Sequence, residues 1–293
     1  MSQSTVKNCV RHFCEAVIAV FSPEYFRPPT PSSISELLEE YAKRGFVGMV
    51  GSIDCMHWGW KICRIEVAGQ HKGKEKKLSK VLEAVADYKL KIWHYNFGSP
   101  GSLNDLHILE QSPVFDAILR GEAATVHYDI NGHAYNTPYL LADDIYPSWS
   151  VFVKSTEKTL GLKFQPFARM QKACRKDVES CFGVLQARWI ILDTPCRLWS
   201  ATDMGTVIKA CGILHNMIVV DETNIDPHGY LFDPACQPGE MYVLEVSKPP
   251  LFTGLPDIDA LVFQTAKLRD KRLHLQLQND LIEHMWYIHG SQK

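Results

Sequence analysis

Residues 46–60 read FVGMVGSIDCMHWGW, and no other stretch limits the available folds as much. Phe46, Val47, Met49, Val50 and Ile53 make an apolar run of strand length, apolar enough to be buried. Such a strand needs a sheet covered on both sides. The run stops at Asp54. A carboxylate buried without a partner is costly, so Asp54 either has a structural partner or sits at an open strand end where chemistry takes place.

The flanking sequence supplies the cover. Residues 4–21 carry a helical stripe of Val6, Val10, Phe13, Val17 and Phe21, with Ser4 as a cap. Prolines interrupt at 23, 28, 29 and 31, and SISELLEEYAKRG reads as a second helix, capped by Ser33 and ended by Gly45. LSKVLEAVADYKLKIWHYNFG reads as two strands turning near Asp87 and Tyr88. NDLHILEQSPVFDAILRG reads as a helix broken near Pro113. Asn131-Gly132 marks a hairpin turn, Tyr139–Ala142 a short apolar run, and SVFVKS another short strand. Residues 169–189 form a helix with the stripe Val178, Cys181, Phe182, Leu185 and Trp189, and residues 201–220 a mostly buried helix. Residues 221–255, rich in Pro, Gly and Asp, read as a loop. AKLRDKRLHLQLQNDLIEHMWYIHG reads as one long amphipathic helix that packs on the core or forms an oligomer face. Helices, then strands, then helices predict an α/β sheet flanked by helices.

The 293 residues allow one large core, and the net charge of −2 excludes a polycation, so any nucleic-acid contact must come from local basic patches. Nine scattered cysteines, with no C-x-x-C pair, point to a reducing compartment rather than to zinc or a disulfide framework. The run GILHNMIVV is too short to span a bilayer, and the N-terminus lacks a signal-peptide pattern. No membrane role is expected.

Three acids stand out. Asp54 ends the first strand, Asp143 ends YLLAD, and Glu179 lies on a helix beside Arg175 and Lys176, away from the apolar stripe. Functional groups collect beyond the carboxyl ends of strands in α/β sheets. An all-carboxylate set suits hard divalent cations, Mg²⁺ or Mn²⁺. Two such ions suit phosphodiester chemistry. Spacing alone leaves Asp144 and Asp105 open as alternatives. Lys72, Lys74, Lys76 and Lys77, with Arg175 and Lys176, are candidate phosphate contacts that would give affinity without sequence choice. Arg188 could steer DNA in the same way. His57 and His215 read as core hydrogen-bonding residues, and Trp58, Trp60 and Trp93 as packing residues.

Six blocks carry a resemblance: GSIDCMHW, GSLNDLHIL, YLLADDIYPSWSVFVKS, RKDVESCFGVLQARW, ACGILHNMIV and LQNDLIEHMW. Together and in order they resemble the PIF/Harbinger transposase family, its plant members and the Harbinger-derived nucleases. The resemblance implies a ribonuclease-H-like fold and a DDE triad of Asp54, Asp143 and Glu179, with Asp105 in a supporting role. It implies a metal-dependent nuclease or transposase that hydrolyses DNA phosphodiesters and joins 3′-hydroxyl ends to target DNA. It also implies nuclear action and a separate Myb-like partner protein. The expected division is a helical segment 1–45, the last part of a helix-turn-helix region, then a nuclease domain 46–222, then a linker and C-terminal helix 223–293. Departures from the family pattern are Asp144, where glycine is usual, Gly59 and Ile62 after GSIDCMHW, Arg64 for proline and Val67 for tryptophan. They favour the alternative, a domesticated, catalytically inactive descendant acting as a nuclear interaction or chromatin-associated protein.

Overall fold

The buried run becomes a strand in the computed structural model, which describes residues 2–73, 76–155, 161–226, 244–247 and 258–290. Two helices come first, α1 (Gln3–Tyr25) and α2 (Pro31–Lys43), followed by the central strand β1 (Met49–Gly59). Next are α3 (Ile65–His71), the hairpin β2 (Ser79–Ala86) and β3 (Ile92–Pro100), α4 (Asp105–Glu110) and α5 (Asp116–Leu119). A 3₁₀ turn at Pro113–Phe115 stands between the last two, where the proline predicted a break. Then follow β4 (Thr125–Ile130), β5 (His133–Tyr135), β6 (Tyr139–Leu141), β7 (Phe152–Val153), α6 (Phe164–Arg188), α7 (Ile190–Asp193) and α8 (Ala201–Ile225). The chain closes with β8 (Glu245–Ser247), α9 (Ile258–Leu268) and α10 (Lys271–Gly290).

The main sheet is mixed, with strand order β3-β2-β1-β6-β7. β6 runs parallel to both β1 and β7, whereas β2 and β3 are antiparallel. β4 pairs antiparallel with β5 and β8 in a smaller sheet. This is the mixed α/β sheet flanked by helices that the sequence pattern predicts, and the family resemblance implied its ribonuclease-H-like form. The Asn131-Gly132 hairpin forms as expected: both residues have positive φ, 51° and 82°, as a two-residue turn matched to the strand twist requires.

The chain forms two compact units, each discontinuous in sequence. The first comprises Met1–Pro28, Asp54–Ser112 and Val178–Tyr230, and the second Pro29–Ile53, Pro113–Asp177 and Leu231–Lys293. β1 and α6 each contribute to both.

In the first unit α1 packs along α8, and α8 lies against β3. Met56, Trp58, Leu82, Ala84, Phe182, Leu185, Met204 and Ile208 share one core. Trp58 and Trp60 pack as expected, and their indole N–H groups donate to the carbonyls of Thr194 and Leu198, at 3.0 and 2.8 Å. Asn216 clamps three elements: its Oδ1 accepts from Ile92 N at 2.9 Å, and its Nδ2 donates to the carbonyls of Ile92 and Tyr25, both at 2.8 Å. The α1 stripe is only partly the buried face. Cys14 and Val17 are buried, while Val6, Val10 and Phe13 are exposed, because the ties to α8 sit at the C-terminal end of α1. Ser2, rather than Ser4, caps this helix.

α8 also changes the reading of GILHNMIVV. The run belongs to a 25-residue helix that is long and apolar enough to cross a membrane by length and composition, and 56% of that apolar stretch is buried within the fold. It is the core helix of its unit.

In the second unit α2 starts at Pro31, with Thr30 Oγ1 accepting from Ser33 N at 3.2 Å. Leu38, Tyr41, Phe46, Met49, Tyr128, Tyr139, Phe152, Phe167 and Leu281 are fully or almost fully buried. The single long C-terminal helix expected from sequence is instead two. Asp270 lies between α9 and α10, and its Oδ1 accepts from Arg272 N at 2.7 Å, the bond of an N-cap that starts a new helix. Of the loop expected over 221–255, residues 227–243 and 248–255 lie outside the described residues, and 221–225 continue α8.

Candidate active site

Asp54 does not end its strand. β1 continues to Gly59, because Met56 and Trp58 stay buried while His57 is exposed, an alternation that keeps the chain extended. The parallel register with β6 pairs Met49 with Tyr139, Gly51 with Leu140 and Ser52 with Leu141, so its last pair lies two residues before Asp54. Asp54 is half-buried, and its Oδ1 accepts from the amide of Cys55 at 2.8 Å.

Asp143 follows β6 and is exposed. The segment that carries it is tightly held. Its Oδ1 accepts from Asp144 N at 2.7 Å and its carbonyl from Tyr146 N at 3.1 Å. Lys154, just past β7, donates from Nζ to the carbonyls of Tyr146 and Asp144, at 2.9 and 3.3 Å. Burial lowers the Lys154 pKa, with Asp144 acting in the opposite direction. Buried Gln171 on α6 donates to the carbonyl of Ala142 at 3.2 Å, and Gln278 on α10 donates to that of Lys154 at 3.1 Å. Sequence reasoning missed Lys154, although it stands in the quoted block SVFVKS.

Glu179 is exposed on α6. The other carboxylate in RKDVE, Asp177, has a structural role: Arg44 donates to it at 3.3 Å and Tyr41 at 3.5 Å. Earlier on the same helix the carbonyl of Cys174 accepts from Ser52 Oγ at 3.1 Å. Asp105 is half-buried at the first position of α4, where a carboxylate suits the helix dipole, behind the cap Asn104.

Asp54 and Glu179 fall in the first unit and Asp143 in the second. Three carboxylates supply only oxygen donors, a set whose chemistry fits a hard divalent cation. Among the described residues, however, no group of three or more His, Cys, Asp or Glu is gathered as a metal site.

Of the expected phosphate contacts, Lys72, Lys76 and Lys77 are exposed around a tight turn closed by Gly73 N donating to the carbonyl of Lys77 at 3.1 Å. Lys74 lies outside the described residues. Lys80, in the same basic run, is turned inward instead: its Nζ donates to the carbonyl of Gly98 at 2.6 Å and lies 5.6 Å from the Trp60 ring centre. Lys176 is exposed and Arg175 half-buried on α6. Arg188 serves the fold, donating to both carboxylate oxygens of Glu222 at 2.6 Å and meeting His215 Nδ1 at 3.1 Å. His215 bonds within the core as expected, its Nε2 lying 2.7 Å from the carbonyl of Leu90. His57 differs: its ring is exposed and Nδ1 meets Ser79 Oγ at 3.0 Å.

No solved structure matches the chain. Among curated proteins it is 24% identical over 226 residues to "Protein ALP1-like" of Arabidopsis thaliana, covering 75% of this chain and 54% of that protein. It is 25% identical over 225 residues to the Bos taurus protein named "Putative nuclease HARBI1", covering 74% of this chain and 59% of that one. The match thus spans little more than half the length of these relatives. The family model described as "Plant transposon protein" matches residues 23–226, which include β1, β6, the Lys154 tether and all three acids. The chain therefore belongs to the plant transposon protein family, a Harbinger-type transposase family.

Proposed function

We propose that the chain is a DDE-type nuclease that hydrolyses DNA phosphodiesters in the nucleus, with Asp54, Asp143 and Glu179 as its catalytic carboxylates. One observation supports this most. Ser52 pairs in register with Leu141, and its hydroxyl donates to the carbonyl of Cys174. Asp54 follows Ser52 by two residues, Asp143 follows Leu141 by two, and Glu179 lies further along the helix of Cys174. Asp54 and Asp143 thus each stand two residues past the last in-register pair of two parallel strands, the kind of position at which such sheets carry functional groups, and this supports the reading.

The three carboxylates would hold Mg²⁺ or Mn²⁺, which when bound neutralises phosphate charge and makes water or a 3′-hydroxyl a better nucleophile. The protein's own contribution is to fix the donors. The amides of Cys55 and Asp144 each occupy one carboxylate oxygen, orienting Asp54 and Asp143. Lys154 holds the backbone after Asp143. Lys72, Lys76, Lys77, Arg175 and Lys176 would contact phosphates, and Lys74 belongs to the same basic run. End joining to target DNA, recruitment by a Myb-like partner and assembly as a homo-oligomer complete the proposal.

A second reading is a non-catalytic descendant that acts as a nuclear interaction or chromatin-associated protein. It is favoured by the lack of a gathered three-ligand group among the described residues and by Asp144 after Asp143. A cleavage assay with Mn²⁺ on a duplex carrying the element's terminal repeat separates the two. The nuclease reading expects cleavage by the wild type and none by Asp143→Asn. Equal activity in both, or none in either, removes it.

A further inference from the structure

An open cleft of about 540 Å³ in the first unit lies apart from the residues assigned above. Three cations line it: Lys7 from α1, Lys61 just past β1, and Arg197 from the segment that precedes α8. Between them Ile191, Pro195 and Leu198 make an apolar wall. No carboxylate is among its described lining residues. All three cations are exposed, and none is engaged in an ion pair among the described residues. In a chain of net charge −2, three cations around one recess with no carboxylate among its described lining residues are a local departure.

The wall is fixed in place. Cys196 N donates to the carbonyl of Gly59 at 2.7 Å, and Lys61 N returns a bond to the carbonyl of Cys196 at 2.9 Å. The Trp60 indole then binds the carbonyl of Leu198 at 2.8 Å. Residues 194–198 are thus laced to the end of β1, so the segments that carry Lys61 and Arg197 are held together. Beside the cleft the next residue, Trp199, is 59% exposed, and the Arg64 guanidinium lies 5.3 Å from its ring centre. An exposed indole paired with a guanidinium is a surface on which a planar base stacks.

We infer that this cleft binds a single nucleic-acid strand, its phosphates on Lys7, Lys61 and Arg197 and an unpaired base against the apolar wall and Trp199. A duplex offers the cations its phosphates but leaves the apolar wall and the indole without a base face. An acidic peptide satisfies the cations but gives Trp199 no flat partner. The choice of DNA over RNA rests on the nuclease reading; the rest of the inference does not.

Fluorescence anisotropy in EDTA tests this without cleavage, using labelled oligothymidine, oligouridine and a DNA duplex, with polyglutamate as competitor. The wild type is expected to bind a single strand in preference to duplex. The double variant Lys61→Glu/Arg197→Glu should lose tenfold or more in affinity, and the slope of log affinity against log salt should fall by roughly 1.4, about 0.7 per phosphate contact on a single strand. Trp199→Ala should weaken binding by roughly tenfold while leaving that slope unchanged. Circular dichroism checks that these surface variants fold.

Unchanged affinity in the double variant, preference for duplex, or displacement of the strand by polyglutamate at equal charge would overturn the inference. A protein that cleaves normally yet fails any of these tests retains its nuclease function without this cleft. A protein that does not cleave but loses strand binding in the double variant keeps the cleft without the nuclease.

Discussion

Lys154 places its ammonium on two backbone carbonyls, and the segment it holds is the one that presents Asp143. Lys154→Met would leave both carbonyls without this donor and free the turn. On the nuclease reading the expected result is cleavage slowed on the order of tenfold, and on any reading stability lowered by about 1–3 kcal/mol, the usual range for a charged hydrogen bond. Nicking rates and thermal unfolding measure the two effects. Partial recovery of rate in Lys154→Arg would mark a positioning role; a full loss of rate in Lys154→Arg would argue against one. The place of Asp143 just after β6 was legible in the sequence because an apolar strand ends beside it. Lys154 was not, since a cation that binds backbone carbonyls leaves no spacing pattern. Arg188 was misread for a related reason: a basic residue on a helix looks like a surface charge until its partner, Glu222 on another helix, is known. The ties of Asp177 to Arg44 and Tyr41 were not legible either, because those partners lie more than 130 residues away in sequence.

The elements of the first unit meet at Asn216, whose side chain bonds β3 and the end of α1 from within α8. Asn216→Ala strands buried backbone groups on two elements and is expected to cost about 3 kcal/mol, seen as a lower denaturant midpoint. In the second unit Gly48 has a φ of +88°, and a Cβ there would lie 2.3 Å from the Tyr128 ring. Gly48→Ala therefore combines backbone strain with a clash, and a loss of about 2–4 kcal/mol in chemical unfolding is expected. Local pattern revealed the elements it controls. The β2–β3 hairpin, the turn at Asn131-Gly132 and the core helix α8 all showed in the sequence. The break between α9 and α10 did not, because Arg269, Asp270 and Lys271 fit an exposed helix face equally well. The Asp270 carboxylate, accepting from the amides of Arg272 and Leu273, decides it. β1 ran past its expected end because His57, a polar residue, takes the outward position of an alternating strand.

Across the whole molecule, acid sensitivity should come from buried histidines in both units. Burial pushes His215 down to about 4, and the Arg188 charge acts the same way while the carbonyl of Leu90 opposes it. Burial likewise brings His284 down to about 4, with His289 adding to the effect. Because these groups protonate more readily when unfolded, near the ordinary 6.5, stability is intact above that pH and falls as the pH drops toward 4. The loss between pH 7 and 5 should be roughly 2 kcal/mol per histidine, measured by denaturant unfolding at each pH, and His215→Leu should flatten the slope. The first unit also imposes an order on synthesis. Its helix α1 is complete at Tyr25, whereas α8, the helix it packs along, ends at Ile225. At roughly 5–20 residues per second, α1 waits on the order of ten seconds or more for its cover, with Cys14, Val17 and Phe21 uncovered on the nascent chain. A chain halted before Ala201 would keep that face open, a ready target for chaperones and proteases rather than a smaller stable fold.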